Sequence, residues 1–322
     1  MAAGVMVGDP GAALLRRVVG VLALAVHRIA NALRLVLRTP SGRIGLPILL
    51  VHFILATIGP WLAPYSATEF QQPLAETQLQ PPSWEFLFGT DQFGRDILSR
   101  VMSGATTLIA VSVSGAALGI ALGAAIGMSS GYRGGRIDEI VMRVMDGLMS
   151  FPSLLLALLV MAMLANRPAP IEALQSNWQN ILIAITIGVV TLPRVARVIR
   201  SVTLSLKTLE FVQSARLRGE GSAYIIFREI LPNTLPVLGV EASVRLSYAI
   251  LTISSLGFLG LGVQPPSPDW GLMLAQSRQF LAQAPWVAMA PAGAIVSLVV
   301  GVNLVTDGVK QASGLPQEEA TT

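Results

Sequence analysis

Six stretches of the chain, at about residues 44–63, 105–128, 140–164, 181–199, 235–261 and 286–305, are long and apolar enough to cross a bilayer as helix. About 20 residues at 1.5 Å each cover a hydrocarbon core of ~30 Å. Within that core every backbone N–H and C=O must find a partner inside its own segment, so such stretches fold as helices. The rest of the composition agrees: 53% of the 322 residues are hydrophobic and 12% are charged, where a soluble domain carries about 25% charge. The fold class expected is an all-α polytopic membrane protein with six transmembrane helices.

Composition also removes several chemistries. There is no cysteine, so disulfides, thiolate metal sites and a cysteine nucleophile are excluded. The two histidines, His27 and His52, both lie before the second apolar stretch, which leaves no parts for a hydrolytic triad or a zinc site. No Gly-x-x-x-x-Gly-Lys-Ser/Thr loop occurs, so the chain is expected to bind no ATP or other cofactor itself. The net charge of +4 comes without a basic cluster interleaved with aromatics, so no nucleic-acid partner is expected.

Orientation follows the Lys/Arg asymmetry of short loops. With the N-terminus in the cytoplasm, one side receives Arg16, Arg17, Arg28, Arg34, Arg38, Arg43, Arg133, Arg136, Arg194, Arg197, Arg200, Lys207, Arg216, Arg218, Arg228 and Lys310. The other side receives only Arg95, Arg100, Arg167 and Arg278. Both termini are therefore expected in the cytoplasm. Residues 14–38 are apolar but set Arg16, His27, Asn31, Arg34 and Arg38 on one helical face, with Val18, Leu22, Val26, Ile29 and Leu33 opposite. That pattern describes an interfacial amphipathic helix on the cytoplasmic leaflet. A signal peptide is the rival reading, but no small-residue cleavage site follows. The expected organisation is an N-terminal cytoplasmic region (1–43), a transmembrane domain (44–309) carrying a cytoplasmic loop at about 202–232, and a polar tail (310–322).

The segment 211–233, FVQSARLRGEGSAYIIFREILPN, interrupts the apolar pattern with charge and a Gly-x-Gly break at Gly219 and Gly221. A polar segment of this length must lie outside the hydrocarbon, and the charge asymmetry puts it in the cytoplasm. It reads as two short helical halves, the second ending at Pro232. Glu210, Gln213, Arg216, Arg218 and Glu220 form a polar surface, and Phe211, Ala215 and Leu217 an apolar one. Two readings fit: a short helix seated in a partner's groove, or an ordinary solvated loop.

Before the second span, GTDQFGRD places Thr90 or Asp91 as the cap of a short helix beginning at Gln92. Asp91 and Arg95 stand at i, i+4, as do Asp96 and Arg100, so both pairs are expected to be ionic. A structural cap or gate on the extracytoplasmic side, formed by Asp91, Arg95 and Asp96, is preferred to solute contact or catalysis. Charges inside spans are functional-site candidates by default. Arg143 follows Glu139 by four residues and precedes Asp146 by three, so the three are expected to meet on one face; Glu241 and Arg245 form a second i, i+4 pair. Such pairs either fix helix packing or line a path. Pro152 and Pro193 are expected to kink their spans. Gly115, Gly119, Gly123 and Gly127 recur every fourth residue, a stripe that lets another helix approach closely. GVQPPSPDW (262–270) reads as a proline-stiffened extracytoplasmic loop that connects two helices or contacts a solute-binding protein.

The island resembles the cytoplasmic coupling loop of permease subunits of ATP-binding-cassette importers, with Gln213, Ser214, Ala215, Gly219, Ile230, Leu231 and Pro232 at the places of that motif. Gln213 stands where the motif has Glu, and Ser214 where it has its first Ala. FGTDQFGRDILSRV (88–101), GGRIDEIVMRVMDGLMSFPSLLLAL (134–158), FLGLGVQPPSPDWGLML (258–274) and NLVTDGV (303–309) further resemble the dipeptide/oligopeptide/nickel permeases, specifically their C-type subunit. The likeness runs from about residue 42 to 312.

The resemblance implies a bacterial inner-membrane subunit that forms half of a translocation path for short peptides, working by alternating access. The same family imports nickel complexes and glutathione-like solutes, which is the alternative reading. Implied partners are a second homologous permease subunit, two cytoplasmic ATPase subunits that hold ATP and Mg, and an extracytoplasmic solute-binding protein. Coupling to the ATPases is assigned to Phe211, Gln213, Ala215, Arg216, Arg218, Gly219, Glu220 and Tyr224. The chain itself performs no chemistry. An autonomous secondary transporter would need a mid-membrane relay of acids or bases and gives no reason for the cytoplasmic island.

Overall fold

The computed structural model describes residues 33–70, 73–164 and 167–312. The expected N-terminal helix therefore lies outside the described residues up to position 32, with only residues 33–37 seen as helix. The tail beyond 312 lies outside them as well. Among the described residues there is no β-strand, only an isolated bridge between Thr90 and Asp96. Among the described residues five helices are long and apolar enough to cross a membrane, and a bent pair makes a sixth when taken together.

The first, α1 (Pro40–Leu62), starts where Thr39 turns its side chain to accept from Gly42 N at 3.1 Å, with Pro40 in the first turn. A proline there gives up only an N–H that has no helical partner. Helix α2 (Ile97–Arg133) has 37 residues, about 55 Å at 1.5 Å per residue, so it projects well beyond a bilayer core. Its N-cap is Asp96, which accepts from Ser99 N at 2.8 Å and Ser99 Oγ at 2.5 Å.

Two glycines at φ +67°, Gly134 and Gly135, then reverse the chain into α3 (Gly135–Met149). Next comes α4 (Ser153–Leu164), bent 97° from α3 across Ser150–Pro152. The third expected span is thus broken rather than kinked. Pro152 cannot donate the hydrogen bond that would continue α3. The 12 residues of α4 alone, about 18 Å, are too short to cross. By contrast, α5 (Trp178–Leu206) runs unbroken through Pro193.

After α5 comes the short helix α6 (Glu210–Leu217), then Gly219 at φ +79°, a turn at Ser222–Tyr224, a π-helical stretch (Ile225–Ile230) and α7 (Leu231–Phe258). The expected stop at Pro232 is not found: the wide turn lets Leu231 N–H reach back to Ile226 O, and the helix continues through Pro232 and Pro236. A π-bulge relieves the crowding that proline imposes on an α-helix. Helices α8 (Trp270–Ser277) and α9 (Trp286–Ala312) complete the described residues.

The bundle is organised on α2 against α5, its most extensive helix pair. The glycine stripe lies in this seam. A Cβ built on Gly115 would sit 2.8 Å from Ile187 Cβ, on Gly119 2.6 Å from Thr191 Cβ, on Gly123 2.8 Å from Val195 Cβ, and on Gly127 2.4 Å from Ala196 O. Gly131 extends the row toward Arg200 and Thr203. Contact numbers rise together along both helices, so α2 and α5 run parallel. Lipid tails are as apolar as leucine, so close backbone packing supplies the attraction in a bilayer. A second close pair joins α1 and α9, where Gly45 faces Leu304 and Val305, and Gly301 faces Ile48.

Candidate functional site: a coupling helix and a polar cavity

Helix α6 sits across the end of the bundle where α2 and α5 terminate. Val212 and Ala215 are fully buried, packed with Ile225, Ile226 and Ile230 against Met128, Val195 and Ile199. Residues three apart share a helix face, so α6 has an inner face that anchors it and an outer face that is bare. The outer face carries Gln213, Ser214 and Leu217, the last 90% exposed, and the following turns add Tyr224 and Phe227. Ala215 is therefore an anchor, not part of the presented apolar surface the sequence suggested.

The charges of this region tie the element together. Arg216 lies over the Tyr132 ring at 4.9 Å, and Arg218 approaches Glu229 at 3.5 Å and Glu220 at 3.8 Å. Lys207 donates to Gly131 O at 2.8 Å, joining the end of α5 to that of α2. Gly219 adopts a positive φ, the left-handed turn that ends α6 and that residues with a Cβ rarely adopt. The element is two-sided: its inner face is packed and its ends are tied, while Leu217 and Phe227 on its outer side are largely exposed.

At the other end, GTDQFGRD is a compact knot. Asp91 accepts from Phe93 N at 2.8 Å and Arg95 N at 3.0 Å, and takes the Arg95 guanidinium at 2.8 Å; both side chains are buried. Arg95 lies against the rings of Phe93 (4.7 Å) and Phe70 (5.7 Å). The Asp91–Arg95 pair is as expected, while two details differ. No helix begins at Gln92; Asp91 instead caps a turn and Asp96 caps α2. The Asp96–Arg100 pair does not form, because Asp96 is engaged by Ser99. Arg100 donates to Ala67 O at 3.1 Å and lies 3.7 Å from Asp91.

Beside this knot, Asp269 caps α8 by accepting from Leu272 N at 2.7 Å, and the fully buried Trp270 donates from Nε1 to Val101 O at 2.9 Å. The PPSPDW loop is thus a plug locked onto α2. Burial pushes the Asp269 carboxyl up to about 6, against the backbone N–H groups of Leu272 and Gly271, which favour its charged form.

The charges inside the bundle are arranged differently from the sequence expectation at one point. Glu241 and Arg245 pair at 2.8 Å as expected. Asp146, however, pairs with Arg197 on α5 and not with Arg143, which makes no ion pair among the described residues. The bend before α4 sets α3 against α5, so Asp146 and Asp138 meet α5 arginines, while the expected meeting of Glu139 with Arg143 gives no ion pair among the described residues. For the same reason Asp138 holds Arg200 through two contacts, at 2.6 and 2.5 Å. That pair spans 62 residues of sequence and no local spacing could have revealed it. Between α4, α5 and α7 lies a cavity of about 290 Å³, lined by Ser153, Thr191, Arg194, Arg245, Tyr248 and Thr252 among others. By sequence alone Arg194 stands out only as an orientation charge.

The structure is a bundle of apolar, membrane-length helices with a short packed helix at one end and a polar cavity between helices. Comparison with known proteins gives the family. The pattern described as "Binding-protein-dependent transport system inner membrane component" matches residues 119–313, and that of the "N-terminal TM domain of oligopeptide transport permease C" matches residues 29–82. The chain is 38% identical over 269 residues to the dipeptide transport system permease protein DppC of Alkalihalophilus pseudofirmus, covering 84% of each chain. It is 36% identical over 274 residues to the di/tripeptide transport system permease protein DppC of Pseudomonas aeruginosa, covering 83% of this chain and 86% of the other. With the glutathione transport system permease protein GsiD of Escherichia coli it shares 38% identity over 259 residues, 80% and 81% of the two chains. The chain belongs to the dipeptide/oligopeptide permease family of ATP-binding-cassette importers, as a multi-pass inner-membrane subunit. Subunits of this family are permeases, not ATPases, and membership implies a complex with ATPase and binding-protein partners.

Proposed function

We propose that this chain imports short peptides as one half of a translocation path, paired with a second homologous permease and driven by two cytoplasmic ATPase subunits that carry ATP and Mg. Its own residues hold no cofactor. The observation that carries this reading is the two-sided build of α6, fixed to the bundle through Val212 and Ala215 and bare at Gln213 and Leu217. A solvated loop has no reason to bury one face fully and leave a leucine 90% exposed on the other. The ATPase grips Gln213, Leu217 and Tyr224, with Phe211, Arg216, Arg218, Gly219 and Glu220 holding the shape of the lever. Its motion passes through Val195 and Ile199 into α5 and, along the glycine seam, into α2. Alternating access follows: the path opens inward at rest, and outward when the ATPases close. Both termini then lie in the cytoplasm with the lever, and the knot of Asp91, Arg95 and Asp96 caps the extracytoplasmic mouth, where a binding protein delivers solute.

The peptide assignment is supported by the dipeptide and di/tripeptide permeases among its relatives; glutathione, itself a small peptide, is the second substrate the comparison favours. The test uses the full complex in proteoliposomes. Leu217→Asp places a charge on the bare face without disturbing any packed contact. It should abolish peptide-stimulated ATP hydrolysis and uptake while leaving insertion of the chain intact. Normal uptake by this variant would refute the coupling assignment.

A further inference from the structure

Helices α5 and α7 carry four arginines: Arg194, Arg197 and Arg200 on the first, Arg245 on the second. Three have a carboxylate partner. Arg197 pairs with Asp146, Arg200 with Asp138 and Arg245 with Glu241. Arg194 has no ion pair or hydrogen bond among the described residues, and it is half-buried in the wall of the cavity. A cation within a membrane span is expensive unless paired or turned to a water-filled path. Here every neighbouring arginine has an acid, and the one left without lines the open space.

The rest of the lining points the same way. Arg245 lies across the cavity, its charge offset by Glu241 and its guanidinium 5.6 Å from the ring centre of Tyr248. Ser153 is the first residue of α4, so the N-terminus of that helix, with its unpaired N–H groups and partial positive charge, opens onto the same space. Thr191, Thr252 and the Tyr248 hydroxyl add neutral hydrogen-bonding groups, and no acid lines the cavity. The lining is cationic and rich in hydrogen-bonding groups.

We propose that this cavity is a transit site for a carboxylate, with Arg194 as the cation that meets the free C-terminal carboxylate of a peptide on its way between the two permease subunits. The inference rests on the peptide-import reading above and deepens it. Arg194 contacts the solute transiently, its charge balanced by the cargo's carboxylate.

The experiment compares uptake of a dipeptide with a free carboxylate and of its C-terminal amide by the full complex in proteoliposomes, each referred to the wild-type rate so that preferences of the binding protein cancel. Arg194→Gln should slow the free acid about tenfold or more, the size of one charge-assisted contact. It should leave amide uptake, assembly and basal ATP hydrolysis unchanged, and Arg194→Lys should keep most of the free-acid rate. Equal loss of both peptides in Arg194→Gln, or loss of neither, overturns the carboxylate site while the import reading stands. A wild-type complex that carries neither peptide overturns both.

Discussion

Replacing Gly127 by alanine tests whether the α2–α5 seam sets the architecture. A Cβ at this position would lie 2.4 Å from Ala196 O and 3.0 Å from Arg200 N, about 1 Å inside the 3.4 Å at which ordinary contact begins. Both obstacles are backbone atoms of α5, so no side chain can rotate away, and the two helices must separate by roughly the same distance. A gap of 0.5–1 Å already forfeits a quarter to a half of each dispersion contact. The seam runs from Gly115 to Gly131, so the loss is spread over about 24 Å of packed helix. Overpacking of a close core typically destabilises by about 1–3 kcal/mol, and the backbone obstacles place Gly127→Ala in the upper part of that range. Gly239→Ala on α7 is the control: nothing lies within 4 Å of its built Cβ, and alanine gains helix propensity of about 1 kcal/mol. Thermal unfolding of the detergent-solubilised complex, followed by size-exclusion and tryptophan fluorescence, reads both. The reasoning fails if Gly127→Ala melts at or above the temperature of Gly239→Ala.

Two further outcomes follow from the packing. The folded-state pKa of Asp269, near 6, stands above its unfolded value of about 3.8, so the folded chain holds the extra proton between them. The stability this contributes is fully present below about pH 4 and is lost as pH rises through about 6. Asp269→Asn keeps a capping oxygen without the titration, and its melting temperature should lose that slope between pH 4 and 6; an unchanged slope would show that another group is responsible. Ala215→Leu adds three carbons to a fully buried position and should unseat α6, increasing protease cleavage near Gly219 while the transmembrane core keeps its melting temperature. Unaltered cleavage would mean that α6 is not held by its inner face.

The local features proved legible because their causes are local. Apolar length marked the spans, the i, i+4 spacing gave Asp91–Arg95 and Glu241–Arg245, and the fourfold glycine period announced a close helix contact. The island was readable as two halves around Gly219 because a left-handed turn calls for glycine. What misled were places where a local rule met a competing partner. Asp96 satisfies the first turn of α2 in preference to Arg100, and Pro232 is absorbed by a π-helical turn. Ala215, read as a docking contact, faces inward, in one buried cluster with Val212, Val195 and Ile199.

By itself, then, the amino-acid order determined most of the long apolar helices and which family the chain belongs to, since apolar length depends on transfer free energy and backbone hydrogen bonding within each segment. Only the tertiary structure decided which helix the glycine stripe meets, that the third span breaks by 97° at Pro152, and which acid neutralises which arginine. Those outcomes depend on charges and surfaces brought together from positions far apart in the chain. The unbalanced Arg194 emerges only after every other pairing on α5 and α7 has been made in space.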